Sequence, residues 1–487
     1  MEIFSCGGEV SAFAGMRTEG KKMTISDDVK AYHSNVELYG LKFPADAKFP
    51  ESIELTSQES RIPTEVYTSE ARLALEFERL WSRVWQVVCR VEEVAEPGDF
   101  AEYTIGNQPF LIVRGEDGRL RAFQNACRHR GTLLKHGTGN AKELKCSFHA
   151  WCWSLKGELR DIPDRHLFPG VTDEEYALPE VACDTWGGFI FIHPQPEQAP
   201  PLREFLGRAA ADLDVYHMER YRATMHARIP LECNWKVALE AFLEAYHVAA
   251  THPQITPYLD DVNTLHTTLG DHSRMIVPYG VPSMRLEHVE EAEIYEAYFS
   301  RSATSFRHSE AAKATGQSVT ELPPELFDQD GEWIGDGTMR DYLIARARET
   351  GEKLGHDYSE LTREQMVDDY DYHLFPNLKF NSHAGGALGF VSRPHPTDPN
   401  KCFFDIYTLV WPDENEEPPA PAPLIEIDIT KQSMGAVLDQ DFDNLWKVQK
   451  GLHNSTLEYV TIGSSEVRIT HFHSVLNRFL QVPAQKL

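Results

Sequence analysis

No apolar run in the 487-residue sequence is long enough to cross a bilayer, which takes roughly 20 consecutive residues in a helix. The start Met1-Glu2-Ile3-Phe4 also lacks the basic region and apolar core of a signal peptide, so the chain is expected in the cytoplasm. Basic charge is scarce: 47 Lys and Arg stand against 75 Asp and Glu, a net charge of −28. That argues against a nucleic-acid or anionic-membrane partner, since either calls for a basic face to neutralise phosphates. Cysteine is sparse, at 8 residues, which excludes a disulfide-stapled mini-protein. In a reducing compartment, Cys beside His reads as a metal ligand rather than a disulfide partner. There is no internal repeat, P-loop or GxGxxG fingerprint, so neither a solenoid nor a nucleotide-phosphate cradle is indicated. With 41% hydrophobic and 25% charged residues, the composition is that of a globular protein. At roughly 150 residues per domain the length predicts two or three domains.

Residues 1–22 are Gly-rich and a second start, Met23, follows; residues 1–45 are expected to be a disordered leader. Leu73, Phe77, Leu80, Trp81 and Val84 form the stripe of an amphipathic helix over 69–85, with Thr68 or Ser69 as N-cap. From Trp85 to about Pro194, short β-branched and aromatic runs alternate with turn signals such as Glu96-Pro-Gly-Asp99, predicting an antiparallel β domain. The stretch Pro194–Pro201 reads as a linker. Strand-like segments (223–230, 388–392, 403–411) then mix with helical ones (234–250, 285–300, 339–353, 432–452), predicting an α+β domain. The polar, helical region 300–370 is a candidate cap, and the acidic, Pro-rich segment 413–423 an exposed loop.

Two loops carry the first chemical motif. Cys127-x-His129 is followed, after sixteen residues, by Cys146-x2-His149. Two sulfur and two imidazole donors fit tetrahedral zinc, or a [2Fe–2S] cluster with Cys on one iron and His on the other. Zinc hairpins repeat one ligand type in each arm. Here each arm mixes types, as a cluster requires when both loops must reach both irons, and this resembles the Rieske pattern. The loops also bear Arg128, Arg130, Lys135, Lys142 and Lys145, a local basic patch able to steer an acidic redox donor. Cys6, Cys89, Cys152, Cys183, Cys233 and Cys402 read as ordinary buried thiols.

The second motif is Glu240-x3-Glu244-x2-His247-x4-His252. As a helix it places Glu240, Glu244 and His247 on one face. His252 would lie about 140° from His247 at 100° per residue and precedes Pro253, so the helix must end or distort there. Two His and one carboxylate are the facial set of non-haem Fe(II) oxygenases. In the helical stretch 432–452, Asp441 shares the apolar face of Met434, Val437, Leu438, Leu445 and Val448. Burying a carboxylate there is costly without a cation, so Asp441 is the expected third ligand, with Asp439 and Asp443 as fallbacks.

Together these residues resemble the catalytic alpha subunit of Rieske non-haem iron oxygenases, the aromatic-ring-hydroxylating family, over about residues 65–470. The resemblance implies an α+β chain: an antiparallel β Rieske [2Fe-2S] domain with its leading helix (46–215), then a helix-grip catalytic domain (216–487) holding mononuclear iron. It implies that Cys127 and Cys146 bind one cluster iron and His129 and His149 the other, and that His247, His252 and Asp441 hold the mononuclear Fe(II). Thr132 and Phe148 stand where high-potential Rieske proteins carry a bridging disulfide, which marks the lower-potential, oxygenase type. Glu244 would link His247 to His149 of the next subunit in a trimeric ring, a homotrimer or α3β3. The implied function is a terminal oxygenase that uses O2 and NAD(P)H electrons, delivered by a reductase with or without a ferredoxin, to hydroxylate a hydrophobic aromatic substrate. The alternative within the family is a monooxygenase or demethylase acting on a methoxy or N-methyl group. Outside it stand a Rieske electron carrier, which would leave residues 215–487 unexplained, and a zinc-stabilised binding module.

Overall fold

The computed structural model describes residues 34–299, 326, 334–335 and 337–482. Residues 1–33 of the expected leader, and 300–325 of the candidate cap, lie outside the described residues. From Ser34 onward the leader reading needs correction. Ser34–Leu38 is helical, and Asn35 is buried with its Nδ2 donating to Asp260 Oδ2 at 3.0 Å and to the Pro282 carbonyl at 2.7 Å. A residue tied to the protein interior at two points does not behave as a free tail.

The helix foreseen over 69–85 runs as α-helix Glu70–Glu76 and continues as a π-turn Phe77–Trp81. Ser69 caps it by accepting the Arg72 amide. A seven-stranded antiparallel sheet follows, in the spatial order Gln86–Arg90, Phe189–His193, Glu180–Trp186, Leu120–Gln124, Gln108–Arg114, Asp99–Ile105 and Thr138–Asn140. All five residues of Phe189–His193 are buried, which is why its first four are apolar without alternation. A small sheet of Leu144–Lys145, Cys152–Trp153 and Leu159–Asp161 carries the second cluster loop.

An eight-stranded sheet dominates the rest. Its order is Leu265–Leu269, His272–Val277, Asp369–Leu374, Leu378–His383, Gly386–Pro394, Cys402–Val410, Arg222–Leu231 and Leu424–Glu426, antiparallel except for the last pairing. The helices Trp235–Glu240 and Ala436–Leu452 lie on one part of this sheet, and Val467–Leu480 on its first two strands. Within the candidate cap region, Met339–Leu354 and Arg363–Val367 are helical. The acidic Pro-rich loop is exposed from Glu414 to Pro421.

The two large sheets share one core. Tyr103 and Ile190 from the first pack in a single apolar cluster with Ile229, Trp235 and Phe404 of the second. Arg90, fully buried, donates to the Gly187 carbonyl at 2.8 Å and to the Tyr221 carbonyl at 2.6 Å, so it satisfies backbone acceptors on both sides of the junction. Along the helix Ala436–Leu452 the inward residues are Leu438, Asp441, Phe442, Leu445, Gln449 and Leu452. Val448 is not among them, contrary to the sequence reading, and is 47% exposed. Gln449 takes the inward place because its Oε1 accepts the Asn234 amide at 2.9 Å and its Nε2 donates to Asn400 at 2.8 Å.

Candidate metal centres

The segment 234–252 is not one helix. Asn234 caps its start, accepting the Lys236 amide at 3.0 Å and donating to the carbonyls of Tyr67 and Pro399. The helix then ends at Glu240, and the amides of Phe242 and Leu243 bond three residues back. A short turn, Val248–Thr251, forms after His247. Glu244 makes this break: its Oε2 accepts the His247 backbone N–H at 3.1 Å while Oε1 lies 2.6 Å from Nδ1 of the same residue. The carboxylate thus caps the new turn and fixes the ring it carries. Glu240, expected on the same face, instead meets Tyr67 Oη at 2.9 Å and His473 Nε2 at 2.7 Å.

The break brings together imidazoles that a continuous helix would splay. The rings of His247 and His252 have centroids 5.1 Å apart at 81°. Asp441 Oδ1 lies 2.8 Å from His252 Nε2 and 3.7 Å from His247 Nε2, and the ligand atoms of all three residues lie within 4.8 Å of one another. His252 and Asp441 are buried, at 2% and 6% exposure, whereas the His247 side chain retains 26%. Burial opposes charging of His247, but Glu244 and then Asp441 outweigh it and hold its pKa above the ordinary value. Gln440 Oε1 lies 2.8 Å from His252 Nδ1 and accepts from Gln254 Nε2 at 2.7 Å. Each histidine therefore has Nδ1 against a side-chain acceptor and Nε2 turned to Asp441, as a metal-binding imidazole requires. The donor set fits a ferrous ion. Of the fallbacks, Asp439 accepts the Met434 amide and the Ser433 hydroxyl, and Asp443 pairs with Lys447 at 2.6 Å; neither faces the two rings.

The second pair of loops is also preassembled. The Cys127 amide donates to the Thr132 carbonyl and the Cys146 amide to the Trp151 carbonyl, both at 2.8 Å. Gly131 takes φ of 78° to close the first loop. Both thiols are buried and unbridged. His129 and His149 have ring centroids 4.7 Å apart, and His129 stacks on Trp151 at 5.0 Å. Burial raises the Cys127 thiol. Burial also opposes ionisation of Cys146, but the amides of His149 and Phe148 outweigh it and hold that thiol below its usual range. His129 Nδ1 is buried without a partner, a cost that ligation would remove. Two thiols, two adjacent imidazoles and an orphaned ring nitrogen fit a Rieske cluster. Around them Arg128, Arg130, Lys142 and Lys145 are exposed, and Lys135 is half-buried.

Residues 84–172 match the Rieske [2Fe-2S] domain family, and residues 218–482 match the catalytic domain of the ring-hydroxylating alpha subunit. The chain belongs to the ring-hydroxylating alpha-subunit family. Its cofactors are accordingly the family's Rieske cluster and non-haem iron. A relative in this family, the biphenyl 2,3-dioxygenase alpha subunit of Rhodococcus jostii, is 33% identical over 216 residues, covering 42% of this chain and 46% of that protein. The chain thus aligns with somewhat less than half the length of that relative. The biphenyl dioxygenase alpha subunit of Paraburkholderia xenovorans is 27% identical over 425 residues, 83% of each chain. Among solved structures, a quaternary ammonium Rieske monooxygenase bound to L-carnitine superposes with a TM-score of 0.60 at 18% identity, covering 90% of this chain and 99% of that one. At that identity the likeness is one of fold. Among the described residues, no helix is long and apolar enough to cross a membrane.

Sequence reasoning missed the contacts that hold the ligands. Gln440 and Gln254 lack a diagnostic spacing, and Tyr67 and His473 come from segments far from the motif. A polar residue beside a buried Asp in an otherwise apolar stripe was the one available signal, and it pointed to Asp441 alone.

Proposed function

We propose that this chain is a terminal oxygenase component that uses O2 and NAD(P)H electrons, passed on by a reductase and possibly a ferredoxin, to hydroxylate a hydrophobic aromatic substrate. In this reading residues 46–215 store the electron and residues 216–487 perform the oxidation. Cys127, His129, Cys146 and His149 hold the cluster, and His247, His252 and Asp441 hold the mononuclear iron. The observation that carries it is the convergence of His247 Nε2, His252 Nε2 and Asp441 Oδ1 within 4.8 Å in a chain that also carries a Rieske domain.

When bound, the cluster supplies one-electron storage and the ferrous ion a redox-active centre with open positions for O2. The protein supplies the rest. Glu244 fixes the tautomer and orientation of His247 through its 2.6 Å contact at Nδ1, and Gln440 does the same for His252. In this reading Glu244 also hydrogen-bonds His149 of a neighbouring copy, in a homotrimer or α3β3 ring. Next to His247 in the chain, Val248 belongs to an apolar cluster with Ile255, Tyr258, Met275 and Val277, against which Val437 packs. The chemistry of that cluster suits an apolar ring better than a charged substrate. The basic patch around the cluster loops suits an acidic electron donor, and the chain is assigned to the cytoplasm.

The test is iron analysis with absorption and EPR spectra of protein purified without oxygen and reduced with dithionite. About three irons per chain and a reduced Rieske signal are expected. NADH-coupled O2 uptake, screened against aromatic, methoxylated and N-methylated compounds with a reductase present, then separates ring hydroxylation from demethylation. Colourless protein that holds zinc after anaerobic iron reconstitution would overturn the reading.

A further inference from the structure

A cavity of about 410 Å³ opens on a part of the molecule that contains none of the proposed iron ligands. It lies where the helix Val467–Leu480 meets the edge strand Leu265–Leu269 and the segment 46–54. Three features of its wall point to an anionic ligand.

Arg468, 1% exposed, lines it. Its Nε donates to Ser273 at 3.1 Å and its Nη2 to Asp371 at 2.9 Å, but its buried Nη1 has no partner. His266, 3% exposed, also lines the cavity, and its Nδ1 is likewise buried without a partner. Burial and the neighbouring Arg468 push the His266 pKa down to about 3, so the ring is neutral near pH 7. In the tautomer whose Nε2 accepts the Thr264 hydroxyl at 3.2 Å, Nδ1 carries the proton and is a donor. Leaving two such donors unsatisfied costs free energy that a bound acceptor would recover.

Lys48 stands at the rim, held beside His266 by backbone hydrogen bonds of 2.9 and 2.8 Å. It is exposed and has no ion pair within 4.0 Å among the described residues. Val467 and Arg468 are the first two residues of a 14-residue helix whose N-cap, Glu466, makes no side-chain capping bond. The positive end of that helix therefore adds to the field in the cavity.

The carboxylates nearby are committed elsewhere, with one exception. Asp46 accepts from Arg208 at 2.6 Å, a bond that holds its carboxyl below the usual range. Asp371 is shared by Arg468 and by Lys379 at 3.0 Å. Glu54 remains on the exposed rim. The volume is that of a small-molecule pocket.

We propose that this cavity is an oxyanion site that takes the carboxylate or phosphate group of a small metabolite, with Arg468 Nη1, His266 Nδ1 and Lys48 Nζ as its donors. The site goes beyond the oxygenase reading and does not depend on it.

The test is calorimetric titration of the full, iron-loaded chain with inorganic phosphate and separately with acetate, at constant ionic strength set by chloride. Saturable binding of at least one ion is expected. Phosphate alone would identify a phosphate-bearing ligand, acetate alone a carboxylate, and both an oxyanion site without further selection. Lys48→Glu, on the exposed rim where folding is not at risk, should weaken binding at least tenfold. Arg468→Lys keeps a cation for Asp371 while removing the free donor, and should weaken it similarly with the far-UV spectrum unchanged. Absence of saturable heat with either ion, or binding that survives both substitutions, would overturn the proposal.

Discussion

The side-chain oxygen of Gln440 lies 2.8 Å from Nδ1 of His252, and the next residue along the helix, Asp441, approaches Nε2 of the same ring at 2.8 Å. Two adjacent residues thus grip opposite edges of one imidazole. One of them is a proposed ligand. The other sets how the ligand is presented.

Gln440→Leu removes the Nδ1 acceptor without touching a ligand atom. Ferrous affinity of the mononuclear site should fall on the order of 10- to 100-fold, as losses of such outer contacts do. Fe(II) titration of the anaerobic protein measures this, with the cluster absorption as an internal control that should not change.

Asp441→Ala removes a ligand outright. Iron content should drop from about three to about two atoms per chain, with the reduced Rieske EPR signal intact. A variant that retains all three irons would show that the third ligand is another residue.

With Glu244→Ala, both metal sites should still fill, because their donor atoms remain, but the orientation of His247 and the proposed link to a neighbouring cluster are lost. Substrate-coupled O2 uptake should fall on the order of 100-fold at unchanged iron content. Full activity would remove Glu244 from the electron route.

Asp405 is buried beneath Arg228 at 2.8 Å and Arg393 at 2.6 Å. Burial pushes its carboxyl up, and the two guanidinium groups together with His226 more than reverse this, holding it well below the carboxylate range. Asp405→Asn leaves uncompensated the cations on the two strands that flank Cys402–Val410, Arg228 on Arg222–Leu231 and Arg393 on Gly386–Pro394. It should cost about 3–5 kcal/mol, read from the urea midpoint at pH 7.

Acid should weaken the fold through its buried imidazoles. Burial lowers His266 to about 3, and His373 lies well below the ordinary value near 6.5. Their contribution is fully present above pH 6.5, where the unfolded chain is also neutral, and is lost as pH falls toward the native values. The sign is opposite for Asp369, which burial and then Asp371 push up to about 7. Its contribution is present below the unfolded value near 3.8 and fades as pH rises through 7. For each of these imidazoles the loss is about 1.4 kcal/mol per pH unit below the unfolded value. Urea unfolding between pH 7 and pH 5 should show it, and His373→Asn should flatten the profile.

The residues that bear the proposed chemistry were legible because ligand chemistry restricts residue type. Cys127, His129, Cys146 and His149 form a pattern that few other functions require, and Asp441 betrayed itself as a carboxylate on an apolar stripe. The β character of residues 86–193 followed from its short branched runs. What the sequence hid was conformational. A 3.6-residue periodicity over 234–250 suggests an unbroken helix, and the tertiary contacts of Glu240 with Tyr67 and His473, with the local cap of Glu244 on the His247 amide, break it. Likewise Val448 fits the apolar stripe by spacing, yet Gln449 turns inward because Asn234 and Asn400 await it. The pairings of Glu240 and Gln449 join residues 49 to 233 positions apart, beyond the reach of local patterns.

The apolar cluster that joins Tyr103 and Ile190 to Ile229, Trp235 and Phe404 has a kinetic corollary. Interiors packed at crystal-like density deform little, so the two sheets that meet in this cluster do not swing against each other. An electron tunnelling from one centre to the other has a path length that thermal swinging of this chain would not shorten. In the proposed ring the length would be set by how separate copies meet, and transfer rates would then follow protein concentration wherever that meeting is reversible.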